Sequence, residues 1–199
     1  AIIVAAGTGV RSGSTVPKQY ARLGGKAVLA HSYAALRNHS AIDRVIVVIG
    51  PDQEAALYEA IGEAEHVTGG ATRRMSVLAG LEALADDTPA RVLIHDAARP
   101  FLGAAVIDRL IAALDTHNGA VPALPVADTL ARGESELGET VARDALHRIQ
   151  TPQAFHFATA LAAHRGWTGD EPTDDAQMVR AAGCRVALGE GDPMLEKIT

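Results

Sequence analysis

Ala1-Ile2-Ile3-Val4-Ala5-Ala6-Gly7-Thr8-Gly9-Val10-Arg11-Ser12-Gly13 opens the chain, an apolar run that passes straight into a glycine loop. A short, continuous, β-branched run closed by glycine reads as a strand buried on both faces. Val45 to Ile49, closed by Gly50-Pro51, and Val92 to Ile94, closed by His95-Asp96, repeat the pattern. Between these runs the apolar residues recur at helical spacing: Val28, Leu29, Ser32 and Leu36, then Val77, Leu78, Leu81 and Leu84, then Val106, Leu110, Ile111 and Leu114. Strand and helix in alternation predict an α/β fold with a mostly parallel sheet flanked by helices. Pro51 fits the first turn of a helix running to about Ile61, with Asp52 and Glu54 where the helix dipole favours acids.

The alternation breaks near Gly119. From there 120–131 reads as extended, 133–138 as a polar turn and 140–149 as extended again, which predicts a long β-hairpin. A hairpin with a modest apolar face is marginal in water by itself, so an arm over about 120–150 is expected to lie on the body or embrace a second subunit. Two short helices, Phe157 to Arg165 and Asp174 to Ala182, are expected next, then an edge strand Arg185 to Leu188 and a closing Glu196-Lys197-Ile198-Thr199. The chain begins inside a strand without Met and is expected to stop inside another, so the native polypeptide is expected to extend both ways. Its 199 residues suit one domain, 1–199, with the arm as an excursion.

Composition narrows the function. With 24 acidic against 18 basic residues, a formal charge of -6 and no block of like charge, a basic nucleic-acid footprint is not expected. Only 4% of residues are aromatic, which leaves no stacking platform for single strands. No apolar run approaches the roughly 20 residues of a membrane helix, so neither nucleic acid nor membrane is an expected partner. The lone Cys184 has no second cysteine to pair with, and a reducing cytoplasm is the expected compartment.

Four stretches carry candidate chemistry. The glycine loop Gly7-Thr8-Gly9 aims backbone amides at phosphate oxygens, with Arg11 adding fixed charge. It departs from the dinucleotide fingerprint, because Ser14-Thr15-Val16-Pro17 opens no helix and the second strand ends at Gly50 with no acid; nor is it a Walker A loop. A tight turn is the bland reading. Pro17-Lys18-Gln19-Tyr20 adds a second cation, and two cations over a glycine cradle suit a polyphosphate. Gly69-Gly70-Ala71-Thr72-Arg73-Arg74-Met75-Ser76 opens a helix: Thr72 is a candidate N-cap, Ser76 faces either core or ligand, and Arg73 opposes the dipole, which asks for an acidic partner or an anion. His95-Asp96-Ala97-Ala98-Arg99-Pro100 ends a buried strand where α/β sheets bind ligands, and a carboxylate there meets Mg²⁺ or a sugar hydroxyl unless Asp96 and Arg99 pair with each other. The eight histidines show no metal-ligand spacing, His147, His156 and His164 read as surface or half-buried, and Asp174-Asp175 reads as a helix start.

AAGTGVRSG, PKQY, the RRMSVLAG helix, HDAARP, Asp128-Thr129-Leu130, the returning Thr140-Val141-Ala142-Arg143, Thr151-Pro152-Gln153-Ala154-Phe155 and the final EKIT, in this order, resemble the 2-C-methyl-D-erythritol 4-phosphate cytidylyltransferases over nearly the whole chain. The resemblance implies a Rossmann-like sheet, a homodimer joined through the arms, Mg²⁺ or another divalent cation as cofactor, and CTP and methylerythritol phosphate as substrates. The products are the cytidine diphosphate alcohol and pyrophosphate, in the non-mevalonate isoprenoid route. By position it implies Ala5, Ala6, Gly7, Gly9, Gly70 and Ser76 around the nucleoside, and Arg11, Lys18 and Lys197 as catalytic cations on the phosphates. It puts Asp96 with Mg²⁺ or the substrate hydroxyls, and Arg99, Thr129, Arg143, Thr151 and Thr173 with the alcohol phosphate, Thr129 and Arg143 reaching across the dimer. Ala71, Ala131, Ala142 and Leu195 depart from the residues frequent at those places in the family.

The competing readings are a cytidylyltransferase for another polyol phosphate such as ribitol 5-phosphate, and a non-catalytic nucleotide-binding Rossmann protein. The first shares the fold and the CTP half-site. The second rests on the glycine loop alone.

Overall fold

The computed structural model describes residues 1–7 and 16–198. In chain order its elements begin with β1 (Ile2–Ala5), β2 (Arg22–Leu23), β3 (Lys26–Ala27), α1 (Val28–Arg37), β4 (Ile46–Ile49), α2 (Glu54–Ile61) and β5 (His66–Thr68). They continue with α3 (Arg73–Glu82), β6 (Arg91–Asp96), α4 (Ala104–Ala113), β7 (Gly119–Pro125), β8 (Leu130–Gly133) and β9 (Leu137–Val141). Last come β10 (His147–Ile149), β11 (Gln153–His156), α5 (Phe157–Arg165), α6 (Asp175–Ala181) and β12 (Val186–Glu190).

The central sheet runs β5-β4-β1-β6-β11-β7, with β10 continuing β11 along one edge of β7 and β12 pairing with the other. β5, β4, β1 and β6 are parallel, as are β7 and β12, while β10 and β11 run against them. Successive strand residues face opposite sides, and both sides are covered, which is why the strands read as unbroken apolar runs. Ile3, Val47 and Ile49 pack under Leu29, Leu57 and Ile107 of α1, α2 and α4. Ile2, Val48 and Ile94 pack under Val77, Leu161 and Val179 of α3, α5 and α6. Each such fully buried aliphatic chain contributes about 1.5–3 kcal/mol. At Gly80 the α3 backbone approaches the sheet so closely that a Cβ would stand 2.9 Å from Ile2 Cγ2 and 3.0 Å from Val48 Cγ2.

The chain passes outward from β1 through β4 to β5, then returns to β6 on the other side of β1. That reversal opens a crevice at the carboxyl ends of β1 and β6, where open α/β sheets bind their ligands.

Four expectations change. The second helix starts at Glu54, not Pro51, because Asp52 takes φ 60, a left-handed turn residue that no helix continues through. The hairpin over 120–150 is divided: Gly119–Pro125 and His147–Ile149 are strands of the central sheet, and only 126–146 leaves it, with β8 and β9 pairing as a separate two-stranded sheet. Its stem is buried at Ala120 and Val121, so extension there serves the core. Residues 196–198 form no strand; Ile198 N–H donates to the Ala98 carbonyl at 2.9 Å and the segment lies as a strap beside the 95–100 turn. His164 is fully buried on the inner face of α5, where the sequence reading expects surface or half-burial.

Candidate active site

The chain leaving β1 is held at Ala5 and Gly7 from the Pro17-Lys18-Gln19-Tyr20 turn. Gln19 is buried, and its amide donates to the carbonyls of Ala5 at 2.6 Å and Gly7 at 2.7 Å, so the loop start is pinned by one side chain. Lys18 and Tyr20 belong to the same 3₁₀ turn, and burial pushes the Tyr20 phenol up to about 12. Lys18 is thereby held within one residue of the pin on the crevice loop. Arg11 and Gly9 lie outside the described residues.

The α3 start lies beside Ala6. Thr72 is the N-cap, its hydroxyl accepting from Met75 N–H at 3.2 Å. Ser76 is buried and its hydroxyl donates to the Thr72 carbonyl at 2.9 Å, with the Gly70 carbonyl at 3.3 Å. Gly69 lets these parts converge: a Cβ there would sit 2.6 Å from Ser76 Oγ and 2.9 Å from Ala6 Cβ. Ala6, Gly70 and Ser76 are therefore neighbours.

Asp96 ends β6 beside β1, opposite Val4, and both its oxygens are engaged. Lys197 Nζ donates to Oδ2 at 2.7 Å, and Arg73 Nε donates to Oδ1 at 3.1 Å. Burial works against the charged carboxylate, but Arg73 and Lys197 outweigh it and hold Asp96 well below the usual carboxylate range. Arg73 donates with its other arm to Asp175 Oδ2 at 2.9 Å, which answers the demand of a cation at a helix N-terminus for acidic partners. Burial opposes charge on Asp175 too, and Arg73 keeps it below its ordinary value. The pair Asp96–Arg99 does not form through side chains: Arg99 Nη1 donates to the Leu195 carbonyl at 2.6 Å instead.

His95 ties this corner together. Its Nε2 lies 3.0 Å from the Arg99 carbonyl, so Nε2 carries the proton, and Nδ1 then accepts from the Thr151 hydroxyl at 3.2 Å. Thr151 Oγ1 in turn accepts from Asp96 N–H at 3.0 Å. Burial lowers the imidazole to about 4, so it is neutral at pH 7. Thr151 thus contacts the framework of the 95–99 turn, buried just ahead of the cis Thr151–Pro152 peptide.

The strap places Lys197. Leu195 is fully buried as its anchor, Gln150 holds Asp192 through two hydrogen bonds at 2.8 and 3.0 Å, and Ile198 closes on Ala98. The remaining expected residues are not gathered on Asp96 in this chain. Thr129 and Arg143 lie exposed on the arm, with the Arg143 guanidinium donating to the Ala127 carbonyl. Thr173 is exposed and its hydroxyl donates to Gln177 Oε1 at 3.2 Å. Sequence reading misses Gln19, His95 and Asp175 as parts of the site; only the misplaced charge of Arg73 signals that a distant acid exists.

An open α/β sheet that carries, at its switch point, a carboxylate balanced by two cations has the architecture of a nucleotide-handling domain of the nucleotidyltransferase kind. The family model IspD, 2-C-methyl-D-erythritol 4-phosphate cytidylyltransferase, matches residues 1–199, and the chain belongs to that family. It is 64% identical over 203 residues to a bifunctional enzyme IspD/IspF of Rhizorhabdus wittichii, covering all of this chain and 52% of that protein. It is 49% identical over 196 residues to a 2-C-methyl-D-erythritol 4-phosphate cytidylyltransferase of Cereibacter sphaeroides, covering 96% of this chain and 87% of the relative. The crystal structure of the Thermus thermophilus 2-C-methyl-D-erythritol 4-phosphate cytidylyltransferase superposes with a TM-score of 0.83 at 36% identity, covering all of this chain and 92% of that one. The chain spans about half the length of the first curated relatives it matches. Among the described residues no helix is long and apolar enough to cross a membrane.

Proposed function

We propose that this chain transfers the cytidylyl group of CTP to 2-C-methyl-D-erythritol 4-phosphate, giving 4-diphosphocytidyl-2-C-methyl-D-erythritol and pyrophosphate in isoprenoid biosynthesis. The observation that carries the reading is the meeting of Lys197 and Arg73 on Asp96 at the switch-point crevice, 2.7 and 3.1 Å away, beside the pinned Ala5–Gly7 loop. The attacking oxygen belongs to a phosphate monoester whose second pKa is about 6, so it is already anionic at neutral pH and needs no general base. The barrier lies in bringing one anion to the α-phosphorus of another and in the charge that grows on the leaving pyrophosphate. Fixed cations aimed at those oxygens lower it, and Arg11, Lys18 and Lys197 are the residues assigned to do so. A neutral, buried His95 is consistent with a site that binds and orients without abstracting a proton.

Among the described residues no group of three acidic, His or Cys side chains is arranged to hold a metal ion. The donor set fits a Mg²⁺ that arrives on the triphosphate and takes one protein carboxylate, since that ion keeps waters and substrate phosphates as ligands. Asp96 is the carboxylate at hand, with lone pairs left over after one hydrogen bond to each oxygen. Bound there, Mg²⁺ supplies charge neutralisation at the phosphates.

The arm supports a homodimer. A two-stranded sheet is not stable alone, β8 and β9 are exposed along nearly their whole length, and Leu137 at the tip is 89% exposed. In a homodimer Thr129 and Arg143 would then serve the partner's alcohol phosphate. A reducing cytoplasm suits the single free Cys184. The test is pyrophosphate release with CTP and Mg²⁺ against methylerythritol 4-phosphate, ribitol 5-phosphate and glucose 1-phosphate in parallel. Turnover with the first alone is expected; turnover with ribitol 5-phosphate alone replaces the alcohol, and none with any of the three refutes the reading.

A further inference from the structure

We propose that Asp175 and Arg73 are positioning residues for the Asp96 carboxylate, fixing the orientation in which it holds Lys197; the inference rests on the cytidylyl-transfer reading of the same crevice. Four charges alternate in a line: Lys197, Asp96, Arg73, Asp175, with successive contacts of 2.7, 3.1 and 2.9 Å. They come from the strap, β6, α3 and α6, and the outer contacts join residues 101 and 102 positions apart. Neither Arg73 nor Asp175 is explained by its own helix. Arg73 stands in the first turn of α3, where a cation opposes the dipole, and Thr72 already caps that helix. Asp174 already caps α6, its side chain accepting from Gln177 N–H, so Asp175 is not needed there either. Yet Asp175 is fully buried, its side chain 1% exposed, and a buried carboxylate without a cation would take up a proton.

The guanidinium divides its donors, one to each carboxylate, and that division matters for Lys197. While Asp175 holds one arm of Arg73, only Nε reaches Asp96, and Oδ2 is left to the Lys197 ammonium. Released from Asp175, a planar guanidinium can engage both oxygens of Asp96 in the fork geometry it prefers, in competition with Lys197. His164 of α5 backs the far side of Asp175, its Nε2 3.2 Å from Oδ1 without the alignment of a hydrogen bond. Asp175 thus acts on the crevice only through Arg73 and Asp96, at two removes from any substrate.

The experiment uses the full chain carrying Asp175→Asn, which keeps the shape and removes the charge. Steady-state kinetics with CTP, methylerythritol 4-phosphate and Mg²⁺ are expected to show kcat lower by about 10- to 100-fold, the range typical of outer-shell partners, with KM for CTP unchanged. A crystal structure of the variant without substrate is expected to show Lys197 drawn off Asp96. Arg73→Lys, which keeps the charge but has one ammonium for two carboxylates, is expected to lose the same factor, and it carries the test if Asp175→Asn does not fold. Met178→Ala, a buried residue of α6 outside the charged line, is expected to lower Tm and leave kcat alone. A folded Asp175→Asn or Arg73→Lys with wild-type kcat, or with Lys197 still on Asp96, overturns the proposal, as does an equal loss of kcat in Met178→Ala. A wild-type chain that turns over none of these substrates refutes the cytidylyl reading, while the position of Lys197 in the crystals still decides the positioning role.

Discussion

The His95 imidazole is buried at the end of β6, and burial takes its pKa from 6.5 down to about 4. Below pH 6.5 the unfolded chain binds a proton at this position that the native state refuses, so stability rises with pH across the window from about 4 to 6.5 and is lost as pH falls through it. Each pKa unit corresponds to about 1.4 kcal/mol, and pH 5 lies one and a half units below 6.5, so His95 makes the fold about 2 kcal/mol less stable at pH 5 than at pH 8. Replacing His95 with Gln removes that titration while keeping an amide to bond the Arg99 carbonyl. Urea unfolding of both proteins at pH 8 and pH 5 measures it: the wild type is expected to lose about 2 kcal/mol more than His95→Gln over that interval. Groups common to both proteins cancel in the comparison, and carboxylates with ordinary unfolded values near 4 have scarcely begun to protonate at pH 5. Parallel losses in the two proteins would refute the reasoning, because they would mean that the native imidazole takes up its proton as freely as the unfolded one.

Three further outcomes are expected. Lys18→Ala and Lys197→Ala each lower kcat by about 10² to 10³ with unfolding transitions near wild type; near-normal rates in both would remove their assigned roles. Arg143→Ala weakens binding of the alcohol phosphate far more than binding of CTP by titration calorimetry, and equal loss for both would place the arm elsewhere. Gly80→Ala, whose methyl group would press on the branched chains of Ile2 and Val48, destabilises by about 1–3 kcal/mol despite the better helix propensity of alanine, read as a lower Tm.

Local pattern carries most of the fold. Ile2 to Ala5 and Ile46 to Ile49 follow from unbroken apolar runs, and the apolar faces of α1, α3 and α4 from a spacing of 3.6, both set by neighbouring residues. The second helix reads as starting too early because proline at a first turn and proline in a turn look alike until the φ of Asp52 is known. The arm reads as too long because a strand of the sheet and a strand of a hairpin share one pattern, and only burial at Ala120 and Val121 separates them. In the site, glycines and the Asp96 turn are legible as local motifs. Asp175 is not: beside Asp174 it looks like an ordinary helix start, and its partner Arg73 lies 102 positions away. His164 shares that fate, since nothing near it in sequence announces the carboxylate of Asp175 on the neighbouring helix.

The strap that brings Lys197 to Asp96 forms no strand, and it is held by one buried leucine and a few hydrogen bonds to parts of the chain laid down long before it. Contacts of such sequence separation cost loop-closure entropy before they are rewarded. A chain with a native sheet and an undocked strap would keep its shape by most spectroscopic measures and still lack the cation that completes the crevice. Lys197 on Asp96 is then a more exacting gauge of finished folding than secondary structure, and a cut between Glu190 and Leu195 would free both Lys197 and the buried Leu195 from the body.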